Sequence, residues 1–97
     1  MVKLISVKRT PGERKEFKAA FILNNGREKL VRFGTSSNWV TNPKKTDADR
    51  AAYLKRHRVN ENWGDYLSAG SLSRWLLWGD SRSLKTNLTK FKKQFKL

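Results

Sequence analysis

The sequence predicts a small α+β domain, a three-stranded antiparallel sheet followed by about three helices, on three observations. Apolar residues alternate at period two in the N-terminal third and recur at helical spacing toward the C-terminus. Capping residues stand ahead of the helical stretches. Four tryptophans, five phenylalanines and two tyrosines are spread along 97 residues, which is material for one modest core. Residues 1–97 therefore read as a single domain.

Val2, Leu4, Ile5 and Val7 mark a first strand that closes at the turn signal Pro11-Gly12. Phe17, Ala19, Phe21 and Leu23 line one face of a second strand. Asn24-Asn25-Gly26 then joins it to a third strand carrying Val31 and Phe33. Loop length decides the register. A two-residue loop sets Phe21 opposite Leu30 and turns Val31 and Phe33 away from Phe17. A three-residue loop with Gly26 left-handed pairs Phe17 with Phe33 and Ala19 with Val31, which gathers the apolar residues on one face. The three-residue loop is preferred on that ground, and it leaves Lys18 and Arg32 on the opposite face.

After these hairpins (about residues 1–34), residues 35–45 form a polar loop that carries Trp39 and is interrupted at Asn42-Pro43. Thr46-Asp47-Ala48-Asp49 opens a helix to about Arg58, with acids in its first turn and Arg56, His57 and Arg58 in its last. A connector, Asn60 to Leu67, leads to a compact helix over about Ser68 to Trp78, stopped by Gly79. Asp80-Ser81-Arg82-Ser83 begins the last helix, whose Leu84, Leu88, Phe91 and Phe95 form an apolar stripe that is expected to face the sheet.

The charge bears on function. Lys+Arg 22 against Asp+Glu 8 gives a net charge of +14. Such self-repulsion opposes folding, and a polyanionic partner is the simplest reason to carry it. Nucleic acid fits first, because neutralised phosphates release condensed counterions whatever the base sequence. From Arg82 to Leu97 the basic residues are Arg82, Lys85, Lys90, Lys92, Lys93 and Lys96, with no acid among them.

Other classes find little in the chain. There is no cysteine, so disulfides and thiol chemistry are excluded. One histidine gives zinc nothing to rest on. Asp47, Asp49, Glu61 and Asp65 lack the paired spacing of a two-metal nuclease. No phosphate-binding glycine loop or nucleophile–base set is present, so a non-enzyme without cofactor or small-molecule substrate is expected. The longest apolar run, Ala19 to Leu23, is far short of a membrane span. The N-terminus lacks the apolar middle of a signal peptide, and an intracellular protein is expected.

The candidate nucleic-acid contacts are Lys85, Lys92, Lys93 and Lys96 on the last helix, with Arg56, Arg58, Lys44 and Lys45, and with Lys18 and Arg32 on the sheet. Each has a plainer reading beside it. The last helix is equally an amphipathic core helix with solvated lysines, and Arg56 and Arg58 equally complement a helix dipole. Trp63, Trp75 and Trp78 read as core. Trp39, alone in a polar loop, is the ring best placed by sequence to stack on a base. Arg74, inside an apolar helix, is expected to pair with Glu61 or Asp65 or to stack on a tryptophan.

Several segments carry a resemblance: Phe33-Gly34; Arg50, Tyr53-Leu54 and Arg56-His57; Glu61, Trp63 and Asp65; the run Ala69 to Trp78; then Leu84 and Lys92-Lys93-Gln94-Phe95. Over roughly residues 30–97 the chain resembles a family of small basic proteins encoded by giant, nucleocytoplasmic large DNA viruses. Where that family carries a Gly-Tyr-Ser-Asp-like stretch and a His-Lys-Asp segment, this chain reads Ser36-Ser37-Asn38-Trp39 and Lys44-Lys45-Thr46-Asp47. The resemblance implies a viral setting (host cytoplasm or nucleus, and the virion) and a small mixed fold, and it brings no assigned activity. The expectation is a non-catalytic nucleic-acid-binding protein, DNA favoured over RNA, duplex favoured, with low sequence selectivity and a role in genome packaging. The alternative is a virion component docking on an acidic viral or host protein. A basic amphipathic helix on a membrane requires Phe91 and Phe95 to be exposed.

Overall fold

A computed structural model describes residues 1–97. Strands β1 (Lys3–Arg9), β2 (Phe17–Ile22) and β3 (Glu28–Phe33) form an antiparallel sheet in the order β1-β2-β3. Phe17 lies opposite Phe33 and Ala19 opposite Val31, the register that a three-residue loop requires. Gly26 has φ +81°, and its N–H donates to the Leu23 carbonyl, so the loop is the left-handed type.

A bulge in β1 completes the inner face. Leu4 pairs with Phe21 and Ser6 with Ala20, leaving Ile5 as the extra residue, 60% exposed. Leu4 and Val7 are three residues apart and would face opposite ways in a regular strand. The inserted residue restores both to the core side, opposite Phe21 and Ala19.

Helix α1 (Asp47–Arg58) starts with a reciprocal cap. The Asp49 N–H donates to the Thr46 hydroxyl at 3.2 Å, and the Thr46 N–H donates to the Asp49 carboxylate at 2.8 Å. The Thr46 N–H first, and then the Thr46 hydroxyl, hold the Asp49 carboxyl below its ordinary range. Only Tyr53 of α1 is buried, so the helix is a largely solvated rod held at a few points.

Helix α2 (Ala69–Leu72), capped by Ser68, runs directly into a π-helical turn, Ser73–Leu77, where the sequence predicts one regular helix. The Trp78 N–H closes that turn on the Ser73 carbonyl at 3.0 Å. The wider turn lets three consecutive residues, Leu76, Leu77 and Trp78, all bury. Gly79 follows because nothing larger fits: a Cβ there would lie 2.3 Å from the Trp75 carbonyl oxygen.

Helix α3 (Leu84–Phe95) is capped by the Ser83 hydroxyl and ends at Lys96, which adopts φ +57°. Its apolar stripe rests chiefly on the π turn. The sheet is reached through Tyr66, whose ring bridges Phe21 at 6.4 Å and Phe95 at 5.6 Å. The core thus joins the inner face of the sheet (Leu4, Phe17, Ala19, Phe21, Phe33) to Leu72, Leu76, Leu77, Trp78 and Phe91.

Gly34, at the end of β3, has φ +70°, and a Cβ there would fall 2.2 Å from Leu77 Cδ1. A left-handed backbone and a filled neighbour act together at this position. Gly34→Ala is expected to destabilise by about 2–4 kcal/mol, read as a lower urea midpoint with an unchanged m-value.

Candidate nucleic-acid interface

The ion pairs are few. Arg32 meets Glu13, Arg50 meets Asp80 at 3.2 Å, and His57 meets Glu61 at 3.0 Å. Of the 22 Lys and Arg side chains, only Arg32 and Arg50 have a carboxylate within salt-bridge distance, and no lysine does. The cationic surface is therefore not neutralised from within.

Helix α3 carries the densest part of it. Lys85, Lys90, Lys92, Lys93 and Lys96 are all exposed, and the helix has no acid. Its opposite side is occupied: Phe91 is buried and Phe95 packs on Phe91, Tyr66 and Trp75. No apolar face is left for a bilayer, and no helix of the protein is long and apolar enough to cross a membrane.

Arg56 and Arg58, two residues apart in sequence, open on two different clefts beside α1. Arg56 lines a cleft of about 420 Å³ with Lys15, Lys45, His57, Glu61 and Tyr53. At its back, Trp78, Tyr53 and His57 form a three-ring stack, with centroids 4.1 Å and 4.0 Å apart. Burial, reinforced by the Glu61 carboxylate, pushes the Tyr53 hydroxyl up to about 12. His57 is held as a packed residue, its Nδ1 on Glu61 and its ring on Tyr53. Lys15 was missed in the sequence because it lies in the β1–β2 turn, distant in the chain from every helix it approaches. Lys44 is exposed on the loop and does not line this cleft.

Arg58 instead lines a cleft of about 490 Å³ with Arg50, Lys55, Arg74 and Trp63. Arg74 is stacked on the indoles of Trp75 and Trp63, its guanidinium carbon 4.3 Å and 5.1 Å from the ring centroids. Of the two expected roles for Arg74, stacking is the one found. Glu61 turns to His57 and lies 3.5 Å from the Trp63 Nε1.

On the sheet, Lys18 lies opposite Arg32 on β3 and opposite Lys8 on β1. Three cations thus cross the outer face in one row, relieved only by Glu13 on Arg32. Like charges directly opposite destabilise a sheet, so the row is a cost that an external anion would offset.

Trp39 requires a correction. It is 8% exposed, its Nε1 donates to Asp47 at 3.2 Å, and the guanidinium carbons of Arg82 and Arg50 lie 4.5 Å and 5.3 Å from its ring. Arg82 also donates to the Trp39 and Lys45 carbonyls, which ties the loop to the start of α3. Trp39 is a core residue and offers no ring to a base. Its partners stand up to 43 residues away, which is why it looked alone in the sequence.

No group of three or more His, Asp or Glu side chains is arranged to hold a metal ion. No protein family, curated protein or solved structure matches the chain.

The raised Tyr53 hydroxyl gives a pH dependence. Because its folded value, about 12, lies above the ordinary 10.0, its contribution to stability is complete below pH 10 and is lost as pH rises through 12. Tyr53→Phe keeps the ring stack and removes the ionisation. Denaturation from about pH 9 to 12 is expected to show the natural protein losing about 2–3 kcal/mol relative to Tyr53→Phe.

Proposed function

We propose that the protein is a non-catalytic nucleic-acid-binding protein that holds duplex DNA through phosphate contacts with little base selectivity. One observation carries this reading: no lysine is paired with a carboxylate, and the five lysines of the α3 segment stand on the solvent side of a helix whose other side is committed to the core. Charges that stabilise nothing inside the fold are available to phosphates, and their counterions are released on binding. Lys85, Lys92, Lys93 and Lys96 form the main contact surface. Arg56, Lys45 and Lys44 extend it beside α1, and Lys18 and Arg32 extend it on the sheet. Phosphate contacts carry no sequence information directly, which is the basis for proposing low selectivity. Together with the resemblance of residues 30–97 to small basic proteins of giant DNA viruses, the role we propose is the coating or packaging of a viral genome.

Fluorescence anisotropy with labelled duplex DNA across a salt series tests the reading. Each phosphate contact contributes about 0.9 to the slope of log K against log salt, so Lys92→Glu/Lys93→Glu is expected to reduce the slope by about 2 as well as the affinity. An unchanged slope and affinity would show that α3 is not the contact surface. Binding that vanishes at modest salt in the natural protein would favour an acidic protein as partner instead.

A further inference from the structure

The cleft lined by Arg50, Lys55, Arg58 and Arg74 is unlike the rest of the basic surface, because it combines four cations with an indole and contains no carboxylate. The other cleft beside α1 holds Glu61, which opposes an anion. Here the two acids that touch the lining residues are both outside the cleft: Asp80 takes one amino group of Arg50, and Glu61, turned to His57, meets only the Nε1 edge of Trp63 at 3.5 Å. Four like charges gathered around about 490 Å³ repel one another. For Arg74, burial first and then the neighbouring Arg50 lower the proton affinity.

The hydrogen bonds leave donors to spare. Arg74 gives Nη1 to the Trp78 carbonyl at 3.1 Å, while its Nε is buried with no partner. Arg50 gives Nε to the Trp78 and Gly79 carbonyls at 3.3 Å and 2.9 Å. Lys55 and Arg58, on the next turns of α1, are exposed and unpaired. Along the same wall stand Ala51, Leu54 and the half-buried Trp63. The guanidinium of Arg74 beneath the indole keeps that ring fixed.

Resting on the nucleic-acid reading, we infer that this cleft receives one unpaired nucleotide of the bound strand, its phosphate among Arg58, Lys55 and Arg50 and its base against Trp63. A guanidinium cluster supplies forked donors to phosphate oxygens, and an indole accepts any base face without regard to sequence. A base within a duplex is stacked on its neighbours and would have to leave the stack to lie against Trp63. The site therefore selects strand ends, overhangs and gaps over continuous duplex, a preference the lysines of α3 cannot supply.

The test compares a blunt duplex with the same duplex carrying a three-nucleotide overhang, in the natural protein, in Lys55→Ala/Arg58→Ala and in Lys92→Ala/Lys93→Ala. Both double variants remove two exposed charges, so general electrostatics and folding are matched. The natural protein is expected to bind the overhang about 10-fold more tightly, in keeping with the stacking of one base. Lys55→Ala/Arg58→Ala is expected to lose that preference, whereas Lys92→Ala/Lys93→Ala weakens both substrates and keeps it. A phosphorylated trinucleotide should quench tryptophan fluorescence saturably in the natural protein and not in Lys55→Ala/Arg58→Ala. Equal affinity for the two substrates, a preference that survives Lys55→Ala/Arg58→Ala, or no saturable quenching would overturn the site while leaving duplex binding intact. Failure to bind either substrate would remove the broader reading with it.

Discussion

The carbonyl oxygen of Trp78 is the point on which the helical half of the molecule depends. It accepts from Arg50 of α1 and from Arg74 of the π turn, and the indole behind it stacks on Tyr53. Tyr53 is the only buried residue of α1, and Trp78 meets both it and Arg50; the remaining ties, Arg50 to Gly79 and Asp80 and Asp47 to Trp39, lie around that contact. The π turn delivers the residue there: an i to i+5 closure from Ser73 places Leu76, Leu77 and Trp78 all on the buried side. Two guanidinium groups on one acceptor repel each other, and the arrangement holds because the bonds are charge-assisted and the Arg74 cation is spread over two indole faces. A cationic cleft beside α1 is the consequence of that geometry.

In a chain of net charge +14, six of the eight acidic residues are engaged within the fold and leave the surface cations unneutralised. Asp49 caps α1, Asp47 accepts from the Trp39 indole, and Glu61 meets His57 and faces the Trp63 indole. Asp65 accepts from the Leu67 N–H in the turn before α2, Asp80 holds Arg50, and Glu13 takes Arg32. Carboxylates are thus spent on caps, indoles and two structural arginines. None reaches a lysine. Arginines are divided in the same way: Arg50, Arg74 and Arg82 hold carbonyls and aromatic faces, while Arg56 and Arg58 stay outside.

The sheet and the helix starts were legible in the sequence because they rest on local signals. Period two, a glycine able to take positive φ and a preference for one apolar face were enough to choose between two hairpin registers. Thr46 and Ser83 announced their helices through short-range capping chemistry. What the sequence concealed is long-range. Ile5 marks the first strand together with Leu4 and Val7, but nothing local shows the bulge that turns it out, and Trp39 looked free until Arg50 and Arg82 enclosed it. The π turn has the same residue types as an α-helix and differs only in what it must bury. The separation of Arg56 from Arg58 follows from helical geometry, but the clefts that receive them are built by residues from the β1–β2 turn and the π turn.

On the proposed function, the unpaired lysines on one side of α3 meet the phosphates of the bound duplex. Lysine acetylation followed by mass spectrometry, with and without saturating duplex DNA, tests it without altering the chain. Strong protection of Lys85, Lys92, Lys93 and Lys96 is expected, with Lys29 of β3 left reactive. Protection spread evenly over every lysine, or absent from α3, would contradict it.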